Sequence, residues 1–307
     1  MRIDLSGRVA IVTGAGGGLG RAHALLLAKR GAKVVVNDLG GARDGSGGSA
    51  TMAEQVVEEI RQAGGEAIAN GANVTEFEQV RAMVDQAMSA WGRIDILVNN
   101  AGILRDRTFA KQDLSDFRTV IDVHLMGSVH CAKAVWDIMT AQNFGRILMT
   151  TSSSGLYGNF GQSQYGAAKM GLVGLMKTLS QEGRKYDIRV NALAPSAATR
   201  MTADIMSEAE LVALDPARVS PGMLALVCDD APTGTILCAG AGSFEIAHIT
   251  LTKGLYIGSG EDAAEQVLAG LDRIGDRIGE MVPPTGLEQP RYELSRVPGL
   301  MPVAANG

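Results

Sequence analysis

A chain of 307 residues, 46% of them hydrophobic and 20% charged, holds enough apolar material for one large globular core plus an appendage. Its formal net charge of −5, with no basic run, excludes a nucleic-acid surface, and no stretch reaches the ~18 uninterrupted apolar residues that a membrane insertion needs. Cys131, Cys228 and Cys238 form no CxxC pair and have no histidine cluster beside them, which points to reduced thiols and away from a disulfide framework or a metal site.

The first residues enter a strand directly, without the apolar core of a signal peptide, so a cytoplasmic protein is expected. Val9 to Val12 is that strand, and it runs into Thr13-Gly-Ala-Gly-Gly-Gly-Leu-Gly20 and then a helix through Arg30. Gly14, Gly18 and Gly20 allow a tight turn in which backbone N–H groups, that of Leu19 among them, and a helix N-terminus approach a pyrophosphate. Lys33 to Asn37 is the second strand, and Asp38 follows it. A carboxylate there accepts hydrogen bonds from the adenosine ribose and repels a 2′-phosphate, which selects NAD over NADP. Arg43 is a competing signal, read as solvated.

A helix through Gln62, a strand at Glu66 to Asn70, and a helix over residues 76–91 come next, the last with Phe77, Val80, Val84, Ala87 and Met88 turned inward. Ile94 to Val98 is the fourth strand, followed by Asn99 to Gly102 and by Arg105, Asp106 and Arg107, read as a solvated loop. One long helix is expected from Leu114 to Thr140.

Beyond the strand ending at Met149 stands a serine cluster, then Tyr165 and Lys169 on a helix over 163–183. Their (i, i+4) spacing puts phenol and ammonium on one face, one turn apart, where the cation would lower the tyrosine pKa into the range of an acid/base catalyst. Ser152, thirteen residues upstream at a strand end, could orient a substrate oxygen towards Tyr165. Ser152, Tyr165 and Lys169 are therefore the candidate catalytic residues. Arg189 to Ala194 and Ile236 to Ala239 are the sixth and seventh strands. Residues 203–215 read as a lid-like loop and helix over the substrate.

With the glycine turn, the serine and the Tyr-x-x-x-Lys pair in this order, the chain resembles the short-chain dehydrogenase/reductase family. Within it the runs VVVNDLGG, NNAGILRDR, VHLMGS, YGNFGQSQY and EGRK are similar to the (3R)-hydroxyacyl-CoA and 17β-hydroxysteroid dehydrogenase portion of the type 2 multifunctional enzymes. That resemblance implies a doubly wound, parallel, seven-stranded α/β sheet (Rossmann) over residues 1–243. It also implies further NAD contacts at Asn73 and Val74, where Asp-Val is usual, at Asn100, Ala101 and Gly102, and at Tyr165, Lys169, Pro195 and Thr199. Many relatives carry Asn as a fourth catalytic member where this chain has His124, which reads as a packed, hydrogen-bonded histidine.

Residues 244–307 exceed the usual length and read as an extension packed on the main domain or a partner subunit. A hairpin around Thr252-Lys253-Gly254, a helix from Glu261 to Arg277 and a Pro-rich tail are expected there. The resemblance implies a homodimer or homotetramer, and Gly171, Gly174 and Thr178 would let another helix approach. The expected activity is oxidation of a (3R)-3-hydroxyacyl-CoA with NAD. A 17β-type hydroxysteroid dehydrogenase, an NADP-linked ketoacyl reductase and an NAD-sensing binding protein are the alternatives.

Overall fold

Uninterrupted apolar runs form the central strands, buried on both faces, which is what a parallel sheet covered by helices requires. The strands are β1 (Val9–Thr13), β2 (Lys33–Asn37), β3 (Ala67–Asn70), β4 (Ile96–Asn99), β5 (Gly145–Thr150), β6 (Ile188–Ser196), β7 (Ile236–Gly240) and β8 (Ser243–Ala247). In this computed structural model, which describes residues 2–41, 44, 45, 47, 51–198 and 207–300, they form one sheet in the order β3-β2-β1-β4-β5-β6-β7-β8. The chain divides into two compact units, Met1–Ile246 and Ala247–Gly307.

Strands β1 to β7 run parallel. Strand β1 lies between β2 and β4, with Val12 opposite both Val36 and Val98. The direction of winding reverses there, so the crevice for a ligand opens outside the carboxyl ends of these strands. An eighth strand was not expected. It arises because Ala241 and Gly242 both take left-handed φ, 51° and 82°, the two-residue turn that folds a strand back on its neighbour.

The helices follow the sequence periodicity. In α2 (Thr51–Gln62), Ala53, Val56, Val57 and Ile60 are buried, and in α3 (Phe77–Trp91) the buried set is Val80, Met83, Val84 and Ala87. Met83, rather than the expected Phe77 and Met88, completes that stripe; Phe77 instead packs its ring on His130 at 5.6 Å. The helix expected over 114–140 is two, α4 (Leu114–Ile121) and α5 (Gly127–Gln142), joined by a π-helical turn at Asp122–Met126. A short helix, α6 (Ser153–Tyr157), precedes α7 (Ser163–Glu182), whose bounds agree with the expected 163–183; of the expected lid over 203–215, residues 203–206 lie outside the described residues and α8 (Glu208–Ala213) is the helix.

In the second unit the expected hairpin is absent among the described residues. Leu251 instead makes an isolated antiparallel bridge to Met281. The expected helix is broken at Gly270 into α10 (Ala263–Ala269) and α11 (Leu271–Ile274), and α12 (Glu288–Ser295) forms in the tail. Tyr292 Oη donates to Lys253 O at 2.9 Å and Thr252 Oγ1 to Ile274 O at 2.7 Å, so local hydrogen bonds organise this unit.

One core contact sets a pH dependence of stability. His23 is fully buried on α1 (Gly18–Lys29), its Nδ1 2.8 Å from Ser220 Oγ on α9 (Ser220–Val227). Burial pushes its pKa down to about 3 from 6.5. A depressed folded-state pKa means that the unfolded chain takes up the proton first, so stability present above pH 6.5 is lost as the pH falls towards 3. Between pH 7.5 and 5 the chain is expected to lose about 2 kcal/mol through this group alone. Urea unfolding of the wild type and of His23→Gln checks it: the variant should show the shallower pH slope, and equal slopes would exclude His23 as the cause.

Candidate active site

The carboxyl ends of β1, β2, β4 and β5 deliver the candidate residues to one edge of the sheet. After β1, Gly14 has a left-handed φ of 63°, and a Cβ there would lie 2.8 Å from Ala101 Cα. At Gly20 a Cβ would lie 2.1 Å from Gly14 O and 2.6 Å from Asn100 Nδ2. These glycines are required by close packing of the turn on the segment after β4. Asn100 Nδ2 donates to Thr13 O and Gly14 O, both at 3.0 Å, and the amides of Asn100 and Ala101 donate to Thr13 Oγ1 at 3.0 and 3.1 Å. The result is a backbone cradle too tight for side chains, the form a pyrophosphate needs. Gly18 is exposed and Leu19 half-buried at its rim.

Asp38 stands at the end of β2, as expected. Its Oδ2 accepts the Gly16 amide at 2.8 Å and its Oδ1 the Gly40 amide at 2.7 Å, so the carboxylate fastens the glycine turn to the loop after β2. Asn73 spends its side-chain oxygen on the Thr75 amide at 3.1 Å, and Val74 is buried where a Cβ on Gly127 would come within 2.7 Å of its methyl. Pro195 is half-buried near the end of β6. Thr199 and Arg43 lie outside the described residues.

Ser152 caps α6, its Oγ accepting the Ser154 amide at 3.2 Å, and it is 9% exposed. Its hydroxyl also lies close enough to the Tyr165 phenol to lower that phenol's pKa. One turn along α7, Lys169 is 3% exposed; its Nζ donates to Thr150 O at 2.6 Å and lies 5.5 Å from the centre of the Tyr165 ring. Thr151 Oγ1 donates to Lys169 O at 2.7 Å, fixing the helix against the end of β5. The serine, the phenol and the ammonium therefore converge, as their spacing suggested.

The electrostatics differ from the expectation. The Tyr165 phenol stands above its ordinary value: burial raises it, the Ser152 hydroxyl pulls it partway back, and the Asp106 carboxylate raises it again. Burial also draws the Lys169 ammonium down to about 7. Desolvation therefore outweighs the lowering expected from a neighbouring cation.

The mouth contains groups that the sequence did not single out. Gln162 donates to Asp106 Oδ2 at 2.7 Å and accepts from Ser154 Oγ at 2.7 Å and Asn159 Nδ2 at 3.0 Å. Buried Gln164, next to Tyr165, donates to Arg105 O at 2.6 Å. Arg105 is not a free cation, since it pairs with Asp116 at 2.6 Å. Glutamines at such positions carry no spacing signature; only the fold brings them to the loop.

Comparison with known proteins agrees with this arrangement. The short chain dehydrogenase family profile matches residues 8–210. The chain is 48% identical over 258 residues to the peroxisomal multifunctional enzyme type 2 of Drosophila melanogaster, an alignment covering 83% of this chain but only 42% of that protein, so the chain spans less than half the length of that relative. Among solved structures, a short chain dehydrogenase from Mycobacterium avium superposes with a TM-score of 0.76 at 40% identity, covering 92% of this chain and 98% of that one. A 7α-hydroxysteroid dehydrogenase complexed with NADH and 7-oxo glycochenodeoxycholic acid superposes at 0.70 with 30% identity, covering 78% and 95%. A parallel sheet wound about β1 and β4, the glycine cradle on its edge, and a relationship spanning most of the sequence place the chain in the short-chain dehydrogenase family.

Proposed function

We propose that the chain is an NAD-dependent dehydrogenase that oxidises the secondary alcohol of a (3R)-3-hydroxyacyl-CoA to the ketone. The observation that carries it is the convergence of Ser152, the Tyr165 phenol and buried Lys169 at the sheet edge that also holds the glycine cradle. The backbone at Gly14 and Gly18–Gly20, Asp38, Asn73, Val74, Asn100–Gly102, Pro195 and Lys169 would hold the dinucleotide; Thr199 belongs to the same reading. When bound, its nicotinamide supplies the hydride acceptor.

In this reading Ser152 Oγ holds the substrate oxygen and Tyr165, as phenolate, removes the alcohol proton. Lys169 would hold the nicotinamide ribose and stabilise that phenolate. Because the phenol is raised, oxidation should accelerate with rising pH, and ketone reduction, which needs the proton on Tyr165, should be favoured at lower pH. Asp38 at the end of β2 supports NAD: an added 2′-phosphate would meet a carboxylate already held by two amides.

The hydroxyacyl-CoA class rests on the relationship to the multifunctional type 2 enzymes, and a hydroxysteroid is the second reading, favoured by the 30% identical steroid dehydrogenase. A cytoplasmic homo-oligomer is part of the proposal, with light scattering as its check. The deciding experiment incubates the purified chain with a (3R)-3-hydroxyacyl-CoA, its (3S) epimer and a 17β-hydroxysteroid, each with NAD or NADP, and follows reduced nicotinamide absorbance. Turnover of the (3R) thioester with NAD is expected. Turnover of the steroid alone would transfer the proposal to that class, and a preference for NADP would overturn the role given to Asp38.

A further inference from the structure

Gln162 stands at the N-cap of α7, a position where a short polar side chain ordinarily accepts one of the helix's own free amides. Its side chain makes no such bond. The amide is spent on other segments instead: Nε2 donates to Asp106 Oδ2 at 2.7 Å, and Oε1 accepts from Ser154 Oγ at 2.7 Å and from Asn159 Nδ2 at 3.0 Å. The partners fix which way round it lies. A carboxylate only accepts, so the NH2 group faces Asp106, and both lone pairs of the carbonyl serve the two donors.

Each segment joined in this way carries a part of the site or adjoins one. Ser154 belongs to α6, which Ser152 caps, and Gln162 itself leads into the turn of α7 that bears Tyr165. Asp106 lies in the loop after β4, which two more bonds tie to the same stretch: Gln164 Nε2 donates to Arg105 O at 2.6 Å, and the Arg107 amide donates to Gly161 O at 2.9 Å. Between the two helices the fit is already close. A Cβ on Gly155 would lie 2.7 Å from Lys169 Cβ, and one on Gly166 would lie 3.2 Å from Ser154 O. Packing therefore stops α6 and α7 from closing further, and the Gln162 amide stops them from parting.

We propose that Gln162 is a positioning residue for Ser152 and Tyr165: its amide locks α6 and the start of α7 to the loop after β4, and so fixes where the substrate oxygen is held relative to the phenol. The proposal rests on the reading of Ser152 and Tyr165 as the reacting groups.

The lock can be opened and then closed with its polarity reversed. Gln162→Glu keeps an acceptor for Ser154 and Asn159 but sets a carboxylate against that of Asp106. Adding Asp106→Asn supplies an NH2 group that donates to the new carboxylate, with the net charge of the wild type. Gln162→Met removes every bond without adding charge. The test measures kcat and KM on the (3R)-3-hydroxyacyl-CoA with NAD, and the NADH dissociation constant, for wild type, both single variants at 162 and the double variant, with thermal unfolding to confirm folded protein. Gln162→Glu and Gln162→Met should each lower kcat by about 10- to 100-fold, the loss that misplaced reacting groups bring, with NADH affinity nearly unchanged. The double variant should recover most of kcat. A double variant no better than Gln162→Glu, or a loss confined to KM or to NADH affinity, would overturn the proposal. Full activity in folded Gln162→Met would do the same while leaving the dehydrogenase reading standing. Absence of turnover in the wild type would remove both.

Discussion

Replacing Tyr165 with Phe is expected to lower kcat by about three orders of magnitude, the middle of the range found for loss of a general acid/base. The substitution removes one oxygen and keeps the ring, so the edge contact with His124 survives and the helix around it is undisturbed. Ser152 keeps its bond from the Ser154 amide, and Lys169 keeps its bond to Thr150 O. The glycine cradle is built from other elements, so NADH affinity should stay near the wild-type value. A fall in kcat without a fall in NADH affinity is thus the specific signature. The residual activity should also lose its rise with pH, because the raised phenol is the group whose ionisation produces it. Near-normal kcat in the variant would remove Tyr165 from the chemistry.

What the sequence made legible here was local. The apolar runs of β1, β2 and β5 could only be buried strands, and a glycine cluster between strand and helix has few uses. Tyr165 and Lys169 share a helix face by spacing alone, and α7 carries them within one residue of the expected bounds. Features set by packing were not legible. The π turn at His124 exists because the ring fits beside Gly102 and reaches Ile103, twenty-one positions earlier, and no periodicity in 114–140 announces it. The direction of the Tyr165 shift was misjudged because spacing reveals a neighbouring cation but not the depth of burial.

The second unit shows the same limit from another side. Alternation at Ala247, Ile249 and Leu251 resembles a strand, yet a strand needs a partner, and Leu251 finds only Met281, thirty residues on. The hairpin that does form belongs to the first unit and turns at Ala241-Gly242, where an alanine adopts φ 51°, a conformation its side chain disfavours and composition does not advertise. Gly270 ends α10, its amide bonding both Gln266 O and Val267 O, and α11 begins at the next residue.

Adding one methyl group at Gly20 should be nearly as damaging as removing the phenol, by a different route. Gly20 lies in the first turn of α1, and the new Cβ would meet Gly14 O at 2.1 Å, Asn100 Nδ2 at 2.6 Å and Ala15 Cα at 2.8 Å. Two of those atoms are backbone, and the third is the amide that holds the glycine turn, so no flexible side chain can move aside. Either the turn lifts off Asn100, losing the bonds from Nδ2 to Thr13 O and Gly14 O, or α1 shifts against the sheet. Overpacking of this kind costs about 1–3 kcal/mol, and sometimes more, and here the strain falls on the cradle. Gly20→Ala is therefore expected to weaken NADH binding by roughly 10- to 100-fold and to lower the unfolding temperature by several degrees. Gly286→Ala is the matched control: its φ is not left-handed and nothing lies within 4 Å of the new Cβ, so stability should be unchanged or slightly raised and NADH binding intact. Fluorescence titration with NADH and a thermal melt of both variants give the answer. Wild-type NADH affinity in Gly20→Ala would mean that the close approach of Gly14, Gly20 and Asn100 is not what shapes the dinucleotide site.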